Sequence, residues 1–466
     1  MRTEETPGKS PKKIADDCPA TRLAWFLSRH PWLDWLGRTF MDSVFAAPVV
    51  AGIAWGLRRF ARRESPRAVV DAFAFDGATA TDFEGRLLAR LTYTEAARDR
   101  VAAFLSDLST LHPKTKAGLR RAWVHAVGAT FIHREKLRFV DRRDGVVRFH
   151  PLDAIVAAFG ACNLSCQGCY AAPELGGVGA KAADLDFILR ELRRHHVAHV
   201  FLAGKGEPFF DRASRALLFG TARRHRQLIF SVYTNGTTMD ASDVARLRKS
   251  PNLIPLISVD GPRGVNDDRR GVGTFDKATR AMRLLNEAGL LFGFVSTVFK
   301  GNQAAVLASE FLREMRECGC RFGGYSVFFS GDPLLAAAMG LNQAERDAFA
   351  EALSVAQVAS PLPLLDLDGA EAHVGCRARH GATLYIDAIT GQVAPCIRDP
   401  KSPPDCSLFL NRRPGRLAEI LAADFFRAYR AVDKHTCPAF DVVAPELIPL
   451  RVPGAACAPP SHFRLP

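Results

Sequence analysis

The chain has 466 residues, 48% of them hydrophobic and 24% charged, a composition ordinary for a globular protein with room for two or three domains. Its formal charge is +13, and residues 1–150 hold 26 Lys and Arg against 17 Asp and Glu. A basic first third suits an acidic partner surface, such as a membrane face or nucleic acid, but such an excess is more often only a solvated face.

The eleven cysteines would suit a secreted disulfide-bonded protein, but the N-terminus argues against that class. Residues 1–17 are polar and lack the apolar core and cleavage site of a signal peptide. We therefore expect a cytoplasmic protein whose thiols are metal ligands, nucleophiles or core residues.

Residues 1–149 are expected to form a helical N-terminal region, because their apolar residues follow helical spacing. The segment 40–63 has an uncharged run of residues 43–57, shorter than the roughly 20 residues that span a bilayer. It is interpreted as a buried helix hairpin, or as an interfacial helix that makes peripheral membrane contact through four arginines, Arg58, Arg59, Arg62 and Arg63.

From residue 150 onwards, short apolar runs alternate with amphipathic helical segments. Six buried strands are predicted at residues 153–159, 199–204, 228–234, 254–260, 292–299 and 324–329. Between them, Leu185, Ile188, Leu189 and Leu192 follow helical spacing, and a further helix is expected from a Thr274 cap to Gly289. This order predicts a parallel α/β barrel, or part of one, with ligand-binding loops at the carboxyl ends of its strands.

Directly after the first strand, "GACNLSCQGCYAAPE" places three cysteines within eight residues: Cys162, Cys166 and Cys169. A structural zinc site needs four ligands, and no His or fourth Cys stands close by. A [4Fe-4S] cluster held by three thiolates keeps one iron open for a small molecule. The number of thiols therefore favours a cluster with an open iron.

The C-x3-C-x2-C spacing and four later segments resemble the radical S-adenosylmethionine (SAM) superfamily. Those segments are "AGKGEPFF", "YTNGT", "ISVDG" and "NDDRRGVGTF", each at a strand end in the family's order. The resemblance implies a partial (β/α)6 TIM-like barrel, with domains at 1–149 (helical), 150–335 (radical SAM core) and 336–466 (a small α+β cluster-binding extension).

The resemblance also implies roles for individual residues. Cys162, Cys166 and Cys169 would bind the cluster, and the backbone around Gly206, with Glu207, would hold the methionyl amine of SAM. Ser258 and Arg270 match positions that contact the ribose and the methionyl carboxylate, for which an arginine fork is well shaped.

Two residues depart from the family pattern. Gly168 stands where an aromatic residue commonly precedes the third cysteine, and Tyr170 follows that cysteine instead. Lys205 stands where a glycine is usual, which brings a positive charge near a positive sulfonium. We expect the Lys205 side chain to point to solvent.

In such enzymes a low-potential electron, from a donor such as flavodoxin or ferredoxin, cleaves SAM to methionine and a 5'-deoxyadenosyl radical. That radical abstracts hydrogen from a substrate, so the protein must exclude water and position one C–H bond. The resemblance leaves the substrate open between a peptide, a lipid and another metabolite, and names no catalytic acid or base.

The C-terminal stretch from Cys376 to Cys396 predicts a β-hairpin around Gly391 and resembles the auxiliary-cluster extension called SPASM, or its shortened form, twitch. The chain has fewer cysteines than the full extension, so one auxiliary iron–sulfur cluster is expected. Cys376, Cys396 and Cys437 are its predicted ligands. The fourth ligand is left open between Cys406, Cys457 and the substrate, and the alternative is a hairpin with reduced thiols or a zinc ion.

Other thiols and histidines are expected to have no catalytic role. Cys318 and Cys320 end a helix and suit core positions, while His195, His196 and His199 lie away from the carboxyl ends of the strands. Two other classes of function remain: a non-catalytic iron–sulfur electron-transfer or sensing protein on the same fold, and a zinc-stabilised nucleic-acid-binding protein. The intact motifs argue against the first, and no nucleic-acid partner is predicted.

Overall fold

The computed structural model describes residues 111, 151, 153–172, 175–195, 197, 199–367, 376–379 and 381–431 (backbone alone at 358), and the backbone of 436–437 and 442–443. Within this part the chain forms a nine-stranded sheet in the order β7-β6-β5-β4-β3-β2-β1-β8-β9, and a separate two-stranded sheet, β10-β11. All pairings among strands β1 to β8 are parallel, and β9 pairs antiparallel with β8.

The strands are β1 (Asp153–Ala157), β2 (His199–Leu202), β3 (Ile229–Thr234), β4 (Leu253–Ser258), β5 (Gly293–Val298), β6 (Gly323–Val327), β7 (Leu364–Asp366), β8 (Thr383–Asp387), β9 (Val393–Ala394), β10 (Thr436–Cys437) and β11 (Val442–Val443). The α-helices are α1 (Ala182–Arg194), α2 (Arg212–Arg224), α3 (Ala241–Leu247), α4 (Arg263–Arg270), α5 (Thr274–Glu287), α6 (Ser309–Glu317), α7 (Pro333–Met339), α8 (Gln343–Ala359), α9 (Arg416–Ala422) and α10 (Asp424–Ala431). Short 3-10 turns cover Ala305–Leu307 and Pro404–Cys406.

The predicted α/β class and the six predicted strands are confirmed, each strand within three residues of its expected ends. From β1 to β7, at least one helix lies between each strand and the next. The sheet therefore has the repeated βα order of a partial barrel. Helix α1 buries its predicted apolar face, with Ile188, Leu189 and Leu192 fully enclosed. The carboxyl ends of β1 to β6 therefore meet at one mouth.

Strands β7 and β8 come from the region expected to form the C-terminal extension, and both join the same sheet. Strand β7 pairs with β6, while β8 pairs with β1, where Val156 lies between Leu202 and Ile386. The hairpin predicted around Gly391 is confirmed as β8 and β9. The hairpin thus continues the barrel wall beside the loop that carries Cys162, Cys166 and Cys169.

The core is a continuous apolar layer between the sheet and its helices. Phe230, Phe292 and Phe294 are completely buried, and Phe294 packs edge-to-face on both Phe311 and Tyr325. At roughly 25 cal/mol per Å² of buried apolar surface, each such aromatic side chain makes a large stabilising contribution to the core. Because this packing fixes the positions of the strands, it also fixes the positions at which the loops after them begin.

Helix α5 begins one residue away from the expected cap. Gly273 is the N-cap, in the left-handed region at φ 79°, and Thr274 is the first helical residue. The carboxylate of Asp267, on the preceding helix, accepts hydrogen bonds from Gly273 N at 2.7 Å and Phe275 N at 2.8 Å. Thr274 was therefore the wrong cap, because a carboxylate from α4 already satisfies these amides.

The predicted N-terminal region 1–149 lies outside the described residues apart from Leu111, and so does the segment 40–63 with its four arginines. Cys18 and Cys457 lie outside them too. Within the described part of the chain, no helix has both the length and the apolar character required to cross a bilayer.

Candidate functional site

A cavity of about 330 Å³ opens among the carboxyl ends of the strands. It is lined by residues from the cysteine loop, from the four later motif segments and from the C-terminal hairpin region: Cys162, Cys166, Cys169, Gly206, Glu207, Asn235, Ser258, Arg270 and Cys396. Residues separated by more than two hundred positions thus share one site. Their placement follows from the parallel strand order, which brings the loops after β1, β2 and β4 to the same end.

Cys162, Cys166 and Cys169 lie on a loop with a fixed backbone. Cys169 N donates to Cys166 O at 3.1 Å, and Gln167 N donates to Arg269 O at 2.8 Å. Leu164 N lies 3.5 Å from the Cys162 sulfur, in position to donate to it. All three thiols are partly exposed, so they lie at the cavity surface rather than in the core.

Gly168 explains why the usual aromatic residue is missing from this loop. Its φ of 67° is left-handed, and an added Cβ would lie 2.7 Å from Met339 Sδ and 2.9 Å from a ring carbon of Phe328. The space beside Gly168 is therefore filled by side chains from elsewhere. Tyr170, beyond the third cysteine, stacks at 4.6 Å on Phe329 instead.

The thiols of the loop differ in their electrostatic surroundings. Burial raises the pKa of Cys162 to about 11. Burial also raises the pKa of Cys166, but the Arg270 and Arg269 guanidiniums oppose it by favouring the thiolate. The two arginines thus favour the Cys166 thiolate, but burial outweighs them and the pKa stays above its ordinary value.

Glu207 joins the second strand end to the third. Its buried carboxylate accepts hydrogen bonds from Phe209 N at 3.0 Å, from Asn235 N at 2.7 Å and from the Thr234 hydroxyl. Burial raises its pKa, although these donors favour the charged form. Glu207 is thus held by the protein, and the partly exposed backbone just before it faces the cavity.

Gly206 brings that backbone against the cysteine loop. It has φ 64°, and an added Cβ would lie 2.6 Å from Phe159 O and 2.8 Å from Ala161 O. Next to it, Glu207 N donates to Ala161 O at 2.7 Å. Only glycine fits this close approach between the two segments.

Two asparagines support the loop and were not singled out from the sequence. Asn235 Nδ2 donates to Asn163 Oδ1 at 3.0 Å and lies 3.8 Å from the Cys162 sulfur. Asn163 Nδ2 donates in turn to Thr237 Oγ1 at 2.8 Å. The segment "YTNGT" was the available signal for Asn235, because it spans the carboxyl end of β3.

Asp260 is the centre of a buried ionic cluster that the sequence analysis also missed. Arg270 reaches its carboxylate through Nε at 2.7 Å and Nη2 at 3.1 Å, and Arg269 through Nη1 at 2.5 Å. Thr297 N donates to the same carboxylate at 2.8 Å. Arg270 therefore lies at the cavity as expected, but an acid of the protein occupies two of its nitrogens; none of these contacts uses Nη1.

Lys205 does not point to solvent, so that expectation was wrong. Its Nζ lies 2.8 Å from Asp387 Oδ2, and each side chain is 12% exposed. The sequence could not show this, because Asp387 ends β8 and reaches Lys205 only through the pairing of β8 with β1.

The C-terminal thiols are divided between different surroundings. Cys396 lines the cavity, and Arg398 N lies 3.5 Å from its sulfur. Cys376 is buried, and both thiols lie near Tyr429: burial raises the pKa of that phenol, and the two thiols raise it further. Cys406 is buried with apolar side chains in the main core. For Cys437 only the strand backbone is described.

Among the residues described, no three Cys, His, Asp or Glu side chains are grouped so as to hold a single metal ion. In a four-iron cluster each thiolate binds a different iron, so its ligands are spaced more widely.

Cys318 and Cys320 are buried in the core, as expected. His199 is at the amino end of β2, where its Nε2 lies 2.9 Å from Ser231 Oγ.

Comparison with known proteins identifies the class of this domain. Residues 156–305 match the family model described as the Radical SAM superfamily. This part of the chain, which holds the cysteine loop and most of the residues that line the cavity, therefore matches a radical SAM domain.

Similar proteins cover the same part of the chain. The pre-heme d1 synthase of Dinoroseobacter shibae is 30% identical over 157 residues, 31% of this chain and 35% of that protein. The mycofactocin maturase MftC of Mycolicibacterium smegmatis is 34% identical over 145 residues, 30% of this chain and 35% of that protein. The matches thus span about a third of the length of these curated relatives.

Among solved structures, SuiB of Streptococcus suis bound to its precursor peptide SuiA has the same fold. Its TM-score is 0.51 at 18% identity, and the match covers 65% of this chain and 70% of that one.

Proposed function

We propose that this protein is a radical SAM enzyme, which cleaves SAM reductively at a [4Fe-4S] cluster and uses the product radical to abstract hydrogen from a substrate. The observation that carries this proposal is the shared cavity. Three thiols of one loop, the Gly206 backbone and Arg270 line it together, and the family motifs single out these same residues.

The residues present fit these cofactors. Three thiols without a fourth ligand on the loop suit a cluster that keeps one iron open. The cationic Arg269 and Arg270 lie beside thiols that must bind iron as thiolates. Cys162, Cys166 and Cys169 would hold the cluster, and the Gly206 backbone, Ser258 and Arg270 would hold SAM. When bound, these groups supply a one-electron cleavage that yields methionine and a 5'-deoxyadenosyl radical.

The chain's own residues position and shield this chemistry. Glu207 and Asn235 fix the loops after β2 and β3 against the cysteine loop. Tyr170 and Phe329 form an aromatic pair in the cavity lining, which helps to exclude water from a reactive radical. A non-catalytic iron–sulfur protein would have no use for a cavity that brings all these groups together.

A peptide is the substrate class that the relatives support best. MftC is named a maturase, and SuiB was solved with a precursor peptide. A lipid or another metabolite remains an alternative, since the similar pre-heme d1 synthase is named for a different product. The electron would come from a low-potential donor such as flavodoxin or ferredoxin.

The proposal is tested by anaerobic reconstitution with iron and sulfide, followed by incubation with SAM and dithionite. We expect 5'-deoxyadenosine and methionine in equal amounts, measured by liquid chromatography and mass spectrometry. A reconstituted protein that binds iron but forms neither product would overturn the proposal.

We also propose one auxiliary iron–sulfur cluster at Cys376, Cys396 and Cys437, in an extension of the SPASM or twitch type. Two of these thiols, Cys376 and Cys396, both raise the pKa of the same phenol, Tyr429, which supports a common site. Wild type should then carry about eight irons per chain, and the double variant Cys376→Ala, Cys396→Ala about four. Iron and sulfide analysis checks this, and about four irons in wild type would leave the C-terminal thiols without a cluster.

A further inference from the structure

The ion pair between Lys205 and Asp387 joins the predicted SAM-binding segment to the C-terminal hairpin. The two charged groups lie 2.8 Å apart, and each side chain is 12% exposed. An exposed ion pair contributes little, but removal of one partner from a buried pair leaves an uncompensated charge. This pair is therefore sensitive to the loss of either residue.

Lys205 holds its charge at an unfavourable place for the proposed ligand. It lines the cavity and directly precedes Gly206, whose backbone is the predicted site for the methionyl amine. SAM carries a sulfonium and an ammonium group against one carboxylate, so its net charge is positive, and a lysine not neutralised by Asp387 would repel it more strongly in a cavity of low dielectric than in water. Asp387 cancels that charge.

Asp387 also organises the turn of the β8–β9 hairpin. Its Oδ1 accepts a hydrogen bond from Ile389 N at 2.9 Å, and its backbone carbonyl accepts one from Gly391 N at 2.7 Å. Cys396 follows this hairpin and lines the same cavity. One carboxylate thus holds both the hairpin turn and the lysine of the SAM-binding segment.

We propose that the Lys205–Asp387 pair makes SAM binding depend on the C-terminal hairpin: Asp387 is a positioning residue that neutralises Lys205 and fixes the hairpin to the segment containing Gly206. This inference rests on the proposed function. It concerns a lysine that replaces the family's usual glycine, so it is a property of this chain rather than of the radical SAM domain in general.

The first test compares single variants in SAM cleavage and in calorimetric SAM binding. Asp387→Asn should raise the KM and the Kd for SAM about 10-fold with little change in kcat, because it removes the carboxylate that offsets the Lys205 charge beside a cationic ligand. Asp184→Asn is the matched control. It breaks the 2.7 Å pair with Arg412, which also joins the C-terminal region to the core but does not line the cavity. Wild-type KM is expected for it.

The double variant Lys205→Met, Asp387→Asn separates charge neutralisation from simple loss of stability. It removes both charges, so its KM for SAM should return to within about threefold of wild type. A merely structural role would make the double variant no better than Asp387→Asn, and would lower the amount of active protein rather than raise KM. Either that result or a wild-type KM in Asp387→Asn would overturn the proposal.

Hydrogen exchange tests the pair without any cofactor. In protein that has not been reconstituted, Asp387→Asn should speed amide exchange in residues 383–394 about 10-fold, while Asp184→Asn should not. Unchanged exchange in Asp387→Asn would contradict the link between Asp387 and the hairpin. If wild type itself neither binds nor cleaves SAM, the proposed function fails, and this exchange result still decides whether the pair holds the hairpin.

Discussion

Loss of all three thiols of the first loop, in the variant Cys162→Ala, Cys166→Ala, Cys169→Ala, is expected to abolish formation of 5'-deoxyadenosine from SAM. The three sulfurs line one cavity, and no other described Cys in this loop or the next strand ends can replace them. Without thiolates no cluster forms at this site, so no electron reaches SAM. Product analysis by liquid chromatography, under the conditions used for wild type, measures the effect.

The matched control is Cys318→Ala, which removes a thiol that is 3% exposed at the end of α6. It should form 5'-deoxyadenosine at the wild-type rate per cluster, because Cys318 has no part in the cavity. Product from the triple variant equal to that from wild type would refute the assignment of the cluster to this loop.

The order of strands was predictable because each is a short apolar run bounded by turn residues, and a parallel sheet buries both of its faces. The site was predictable to the same extent. Once the strands are parallel, the loops that carry Cys162, Gly206 and Ser258 must lie at one end of the sheet. Local pattern was enough to place these residues together.

Contacts between distant segments were not predictable in this way. Lys205 was expected in solvent, but Asp387, which neutralises it, lies 182 positions further along the chain. Gly168 was only a departure from a pattern until Met339 and Phe328 were seen to fill the space beside it. Such partners depend on how β8 and α7 pack on the barrel, and no local pattern encodes that.

Asp260 shows a further limit of prediction from the sequence, because the motifs around it predicted a ligand contact for Arg270 and no role for Asp260. Arg270 was assigned to the methionyl carboxylate on the strength of its motif. In the structure Arg269 and Arg270 both bind Asp260, which is completely buried. An acid between two arginines fixes the direction of each guanidinium, and the sequence alone does not show which acid does so.

Asp260→Asn is expected to lower the free energy of unfolding by about 3 kcal/mol or more, because it leaves two buried guanidiniums without their counter-ion. The asparagine is nearly isosteric and can still accept the hydrogen bond from Thr297 N, so loss of charge is the main change. Urea unfolding at pH 7, followed by far-ultraviolet circular dichroism, measures the difference. Asp276→Asn is the control: it breaks an exposed pair with Arg263 and should have no measurable effect.

The pKa of Asp260 also predicts a pH dependence of stability. Burial alone would raise the pKa of Asp260, but Arg270 and Arg269 outweigh burial and hold that pKa below its ordinary value. Between the folded and unfolded pKa values the unfolded chain binds more protons, so this contribution is complete above pH about 4 and is lost as pH falls through the folded pKa. The difference in unfolding free energy between wild type and Asp260→Asn should therefore narrow below pH about 4. A difference that stays constant from pH 7 to the acid limit of folding would show that the asparagine disrupts packing, and that the charge of Asp260 does not hold the arginines.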